Sequence, residues 1–229
     1  MRALACLLLL TSAARAQDSF EIQVYDAETA APREFGMEAH VNAFQGNLVH
    51  LTLEPHLGML PWLEVGAYLQ TGIHPDGSFA FAGVKLRAKA RLARRRGFGF
   101  ALNVELASVP QEWEADRVGI ELRPIVDFKA GRLWIAINPI VGIGFFGPDA
   151  YWPELDPCIG VLYAITGPWS LGAEYYAAIP LHHPGQDVVH RVFGILQREG
   201  KRFGAHIGAG YGWPEGWIVK AILSVSVGD

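Results

Sequence analysis

Residues 83–92 read GVKLRAKARL, which places Lys85, Arg87, Lys89 and Arg91 at every second position with only Leu or Ala between them. A helix advances about 100° per residue and would scatter these four cations around its axis. A strand gathers them on one face and leaves Val84, Leu86, Ala88, Ala90 and Leu92 on the other, with no polar group among them. The same division recurs downstream. In 98–106, Phe98, Phe100, Leu102, Val104 and Leu106 oppose Gly99, Ala101, Asn103 and Glu105. In 118–128, Val118, Ile120, Leu122, Val126 and Phe128 oppose Gly119, Glu121, Arg123 and Asp127. From Leu133 to Phe145 every odd position is apolar, Pro139 included.

Two-residue alternation also occurs in soluble sandwiches, so strand length and the chemistry of the polar face decide between them. Soluble strands usually run about 5–6 residues, whereas these run about 9–13, the length of a tilted hydrocarbon crossing. The polar faces mix charges with glycines such as Gly66, Gly83, Gly99 and Gly119, which suits a crowded interior better than a solvated surface. The reading is an all-β fold, a closed antiparallel transmembrane β-barrel of about 12 strands. Closure removes the unpaired edges that lipid does not tolerate.

Composition agrees. Of 229 residues 51% are hydrophobic and only 18% charged, which excludes a disordered chain and a solvated helical bundle. No mature segment holds 18 consecutive apolar residues, so helical membrane spans are excluded too. The first residues, MRALACLLLLTSAARAQ, carry Arg2, an apolar run from Ala3 to Leu10 and an Ala-x-Ala site at Ala14–Ala16. They read as a secretory signal peptide over 1–16. Its removal takes Arg2 and Arg15 away and shifts the net charge from −4 to about −6, with 17 basic residues against 23 acidic. That sign leaves no footprint for nucleic acid. Cys158 is then the lone cysteine and reads as a buried small hydrophobe.

Strand-like segments fall at about 36–44, 49–57, 62–70, 79–92, 98–109, 117–128, 132–145, 155–165, 169–179, 187–197, 202–211 and 217–227. Brief turns such as Lys129-Ala130-Gly131 alternate with longer connections such as PQEWEADR and GPDAYWPE. This rhythm predicts an integral outer-membrane barrel at 36–229 with short periplasmic turns and both termini in the periplasm. Residues 17–35 are expected to form a periplasmic arm or a partial strand. The longer connections, about eight residues each, are too short to fold inward and plug a wide lumen. All seven tryptophans lie at strand ends or in loops, with Trp62 and Trp134 on the inward parity. The chain ends Val225-Ser226-Val227-Gly228-Asp229, without the terminal aromatic residue by which barrel assembly machinery commonly recognises its clients.

The segments FEIQVYD, GMEAHVN, HLTLEPHLGM, LEVGAYLQT, FAGVKLRAK, ELRPIVDF, WIAINPIVG and LGAEYYA, taken together, resemble a group of uncharacterised proteobacterial outer-membrane β-barrel proteins described as transporter-like. The resemblance covers nearly all of the mature chain. It implies fold and location, and it brings no substrate, cofactor or catalytic residue.

The expected lumen-lining charges are Glu64, Lys85, Arg87, Lys89, Arg91, Glu105, Glu121, Arg123 and Asp127. Hairpin counting sets Lys85 near Glu64 and Glu105, and Arg87 near Asn103. Either the ions form a cross-strand paired wall, or the basic ladder is a selectivity strip that favours anionic solutes. On the first hairpin Glu38, His40, His50, Glu54 and His56 share inward parity and make an acid/base cluster, although their spacing is no metal signature. No cofactor or metal is assigned. The chain has no GxSxG motif, and its outward parity carries almost no Ser or His, which speaks against an enzyme. A narrow channel or transporter for small polar solutes, a closed structural or interaction barrel, and, behind these, a lipid-modifying enzyme remain open. The expected partners are outer-membrane lipids, the barrel assembly machinery and small polar solutes.

Overall fold

The computed structural model describes residues 18–114, 116–148, 150–181 and 188–228; the expected signal peptide lies outside them. The strands are β1 (Phe35–Phe44), β2 (Val49–Leu60), β3 (Leu63–Ile73), β4 (Phe79–Arg95), β5 (Phe98–Ser108), β6 (Val118–Ala130) and β7 (Leu133–Asn138). They continue as β8 (Val141–Phe145), β9 (Pro153–Leu155), β10 (Cys158–Thr166), β11 (Trp169–Pro180), β12 (Val189–Arg198), β13 (Phe203–Trp213) and β14 (Gly216–Val227). Successive strands pair antiparallel, and β14 returns to β1 from Phe35↔Val227 to Phe44↔Ile218, which closes the sheet.

Fourteen strands make twelve staves. β7 and β8 both pair with β6 and are one stave broken at Pro139–Ile140; β9 and β10 both pair with β11 and are the next, broken at Asp156–Pro157. Proline has no N–H for the ladder, and the two breaks lie side by side, because Asn138 faces Cys158 and Val141 faces Leu155. Hydrogen bonds from Asp156 N to Ile140 O at 2.9 Å and from Ala177 N to Pro157 O at 3.0 Å carry the sheet across the gap.

Inside and outside follow the two-residue period. On β4, Lys85 is 4% exposed and Leu86 61%; on β7, Asn138 is fully buried and Ile137 is 46% exposed. Exposed apolar side chains therefore cover the outer wall on every side, as hydrocarbon requires. Exposed tryptophans mark both rims, with Trp62 and Trp169 at one end and Trp152, Trp213 and Trp217 at the other. Trp62 projects from its turn despite its inward parity, whereas Trp134 does point inward and packs on the apolar core. One end of the barrel has tight turns at 61–62, 96–97, 131–132 and 167–168; the other carries the long connections 109–117 and 146–152. Gly97 and Gly131 stand in the tight turns at φ of 84° and 59°, a region where a Cβ is unfavourable.

Residues 18–34 depart from expectation. They form neither a periplasmic arm nor a strand, but run through the inside of the barrel. The reason is physical. Both edges of β1 are already used by β2 and β14, so an extra strand has nothing to pair with, and Phe20, Ile22 and Val24 need apolar cover. The arm begins near the long connections, where Phe20 stacks on His50 at 4.0 Å and meets Trp113 edge-on at 5.5 Å. It reaches the tight-turn rim where Arg33 N bonds to Gly58 O at 2.8 Å. Asp18 thus lies inside the lumen toward the long-connection end, while Val227 pairs with Phe35 at the tight-turn end.

The register is testable at adjacent positions of β8. A cysteine at Ile143 should carry a fluorophore that brominated lipid quenches, and one at Gly142, where a Cβ meets open space, should react with a water-soluble maleimide. The reverse pattern would refute the facing assigned here.

Candidate functional site

The lumen holds nearly all of the molecule's buried charge, and the arm divides it into two unlike sides. Toward β7–β14, Ile22 and Val24 pack with Phe44, Ile140, Leu162, Tyr176, Phe193 and Ile218 in an apolar cluster that includes Cys158. Toward β2–β6 the wall is ionic. The central part of the arm matches both sides because an extended chain also alternates: Ile22 and Val24 pack on the apolar cluster, and Glu21 and Tyr25 meet Arg123 and Tyr68 on the ionic side.

Of the nine charges expected to line the lumen, Glu64, Lys85, Arg87, Lys89, Glu105, Arg123 and Asp127 are buried and Arg91 and Glu121 half-buried, and their cross-strand partners differ in part from those expected. Bulges in the β3–β4 and β4–β5 pairings shift the register. Lys85 stands opposite Tyr68 and Ala107, Arg87 opposite Gly66 and Glu105, and Lys89 opposite Glu64 and Asn103. Lys85 contacts Asp18 of the arm directly and Glu105 at 3.6 Å. Arg87 holds Glu54 and Glu64, each at 2.6 Å. Lys89 reaches Asp26 of the arm at 3.5 Å, and Arg91 reaches Glu28 at 3.0 Å. Arg123 joins Glu21 of the arm at 3.2 Å and Glu121 at 2.9 Å, while Asp127 takes Arg94 at 2.7 Å. The arm therefore supplies an acidic partner to Lys85, Lys89, Arg91, Arg94 and Arg123.

The first-hairpin cluster is only partly assembled. His40 Nε2 lies 3.4 Å from Glu38 and 3.2 Å from Glu54, a group of three that could converge on a cation. Arg87 already occupies Glu54, however, and its positive charge opposes a metal ion there. His50 is separate and belongs to the aromatic stack on Phe20, and His56 lies against Gly36 at the tight-turn end.

Because residues 19–25 of the arm pair with no strand, side chains of the wall satisfy their backbone. Asn42 donates to Ser19 O at 3.0 Å, Thr52 to Phe20 O at 3.1 Å, and Lys220 to Ile22 O at 2.8 Å. Asn138 makes a double contact: Tyr25 N donates to its Oδ1 at 2.7 Å and its Nδ2 donates to Tyr25 O at 3.0 Å, as a neighbouring strand would. Tyr25 itself hydrogen-bonds Glu21 and, at 2.7 Å, Tyr68, and lies under Arg123 at 4.4 Å. Deeper on the apolar side, Lys220 contacts Glu174 and, at 2.9 Å, Tyr176.

Sequence reasoning missed Asp18, Glu21, Asp26 and Glu28 because it placed the arm outside. Their one signal was the alternation in FEIQVYD, which matches the strands. Asn138, a lone amide on the inward parity beside Pro139, was also open to notice. Lys220 and Glu174 were not, because β14 and β11 are not neighbours and only the closed lumen brings them together.

On either side of residues 21–22 the lumen opens into a chamber. The one at the long-connection end measures 310 Å³ and is bounded by Asp18, Ser19 and Phe20; the one at the tight-turn end measures 390 Å³ and is bounded by Gln23 to Ala30. Between the two charge-lined spaces, Glu21 and Ile22 pack among the buried side chains of Tyr68, Arg123, Asn138 and Lys220.

No protein-family model matches the sequence, and no curated protein matches it closely enough to show a relationship. Solved structures do match in fold. The KdgM porin is similar at a TM-score of 0.59 and 11% identity, over 85% of this chain and 99% of that one, and a further KdgM structure holds disordered oligogalacturonate. An outer-membrane channel from Pseudomonas putida F1 is similar at a TM-score of 0.62 and 9% identity, over 90% of this chain and 100% of that one. The NanC porin is similar at 0.60 and 9% identity, over 84% and 100%. The chain thus has the closed twelve-stave antiparallel fold of outer-membrane porins.

Proposed function

We propose that this chain is an outer-membrane channel for small polar solutes, narrowed by its own residues 18–34. The observation that carries the reading is the pair of charge-lined chambers, one at each end, with only a short length of arm between them. The fold shared with small porins supports it, as does the manner in which the arm is held, through side-chain contacts that separate more readily than a strand ladder. In this reading the long connections face outward, the tight turns and C-terminus face the periplasm, and membrane lipid surrounds the apolar wall. Solute passes when the arm shifts away from Arg123 and Asn138. A closed structural barrel is the second reading, favoured by the buried Arg123–Glu21 pair and the Asn138 clamp at the constriction.

Planar-bilayer recording separates the two. Full-length protein should show small or intermittent conductance, and a variant lacking residues 18–30 a larger and steadier one. Silence from both, with each protein showing the gel shift on heating of a folded barrel, would leave the closed barrel. A milder variant, Asn138→Leu, leaves the staves intact but orphans the Tyr25 N–H and C=O, at on the order of 1–3 kcal/mol for each group. It should raise the open fraction at least tenfold and make the arm more sensitive to protease, with the melting temperature of the barrel unchanged. An arm as protected as in the parent would refute the clamp.

A further inference from the structure

We propose that the chamber at the long-connection end is a binding site for small organic ammonium ions, so that the path selects cationic solutes. The assignment deepens the channel reading and rests on it for transport, although binding can be measured without conduction. Asp18, Glu105, Asp116, Glu121, Asp156 and Glu215 line the chamber, against Lys85 as the one Lys or Arg among its described lining residues. Lys85 is taken by Asp18 and Glu105, Arg123 meets Glu121 from behind, and Arg191 meets Glu215 at 2.6 Å. Asp116 and Asp156 remain with no ion pair among the described residues. The basic ladder, which by itself would favour anions, is thus neutralised before it reaches the chamber.

Two observations independent of the charge count point to a ligand. Asp116 is 4% exposed and its Oδ1 has no hydrogen-bond partner, while His50, another lining residue at 5% exposed, has none at either ring nitrogen. Buried polar atoms are rarely left so, and a carboxylate oxygen and a neutral imidazole nitrogen are both acceptors for an ammonium N–H. The chamber wall is also shaped to leave space. A Cβ at Gly142 would meet nothing within 4 Å, and one at Gly144 would lie 1.8 Å from Asp116 Oδ2, so glycines keep the carboxylate in place and the volume open.

The chemistry selects an amine over a metal ion. Among the described residues the group that can converge on a metal is Glu38, His40 and Glu54, which belongs to the other end of the lumen. Phe20, Ala107 and Trp113 supply apolar wall that a hydrated metal cannot use but a short hydrocarbon chain can. The 310 Å³ corresponds to roughly ten liquid waters, enough for a diamine of a few carbons.

The test is calorimetric titration of the full-length protein in detergent with 1,5-diaminopentane, and with glutarate and magnesium chloride as comparators. The diamine should bind and glutarate should not. Asp116→Asn should weaken binding roughly tenfold, the scale of one charge-assisted hydrogen bond. Gly142→Leu should abolish it by filling the space, with an unchanged melting temperature. Glutarate or magnesium binding as tightly as the diamine, or unaltered diamine affinity in both folded variants, would overturn the site. Diamine binding by a protein that never conducts would uphold the site and discard the channel reading instead.

Discussion

Charge withdrawn from water must be met by charge, and the interior of this barrel follows from that constraint. β4 alone turns Lys85, Arg87, Lys89 and Arg91 inward, and an ion left uncompensated in such a space costs several kcal/mol. Neighbouring staves provide Glu54, Glu64 and Glu105, which serve Arg87 and part of Lys85. The remainder of the requirement is met from within the lumen. Asp18, Glu21, Asp26 and Glu28 are spaced along an extended segment so that each reaches a different cation, and this holds the segment along much of the barrel's length.

The same segment also resolves an apolar problem. Inward positions on β10, β11, β12 and β14 include Leu162, Tyr176, Phe193, Ile195 and Ile218, which would face water in an empty tube. Ile22 and Val24 cover them. Because one edge of the arm is apolar and the other ionic, it has a single favourable rotation in the lumen, and the backbone contacts from Asn42, Thr52, Asn138 and Lys220 fix its height. The two proline breaks share in this. Where the ladder is interrupted after Asn138, that amide bonds to the arm.

The architecture was legible in the sequence because hydrocarbon on one side and a lumen on the other impose a strict two-residue code. The segment boundaries read from GVKLRAKARL onward match the staves closely. Pairing was less legible. A register slip of two or four residues keeps the alternation intact, so Glu64 stands opposite Lys89 instead of Lys85 and Arg87 opposite Glu105 instead of Asn103, while Lys85 still lies 3.6 Å from Glu105. The arm was the largest omission, since a segment attached to the first strand can lie outside or thread inside with the same sequence pattern. The long connections were judged too short to obstruct the lumen, while the obstruction came from the segment that precedes the first stave.

Between Asp18 and Glu34 the arm carries Asp18, Glu21, Asp26, Glu28 and Glu34 against Arg33 alone. It is in effect a polyanionic counter-ion fixed to the wall it neutralises. A free counter-ion exchanges with the salt around it, but one anchored a few residues from Phe35 is present at an effective concentration that dilution cannot lower. Modest changes in ionic strength therefore have little power to strip it from its cations. The internal field is accordingly set in part by covalent connectivity: with the arm withdrawn, Lys89 and Arg91 would lose their acidic partners, while Lys85, Arg87, Arg94 and Arg123 would keep theirs on the wall.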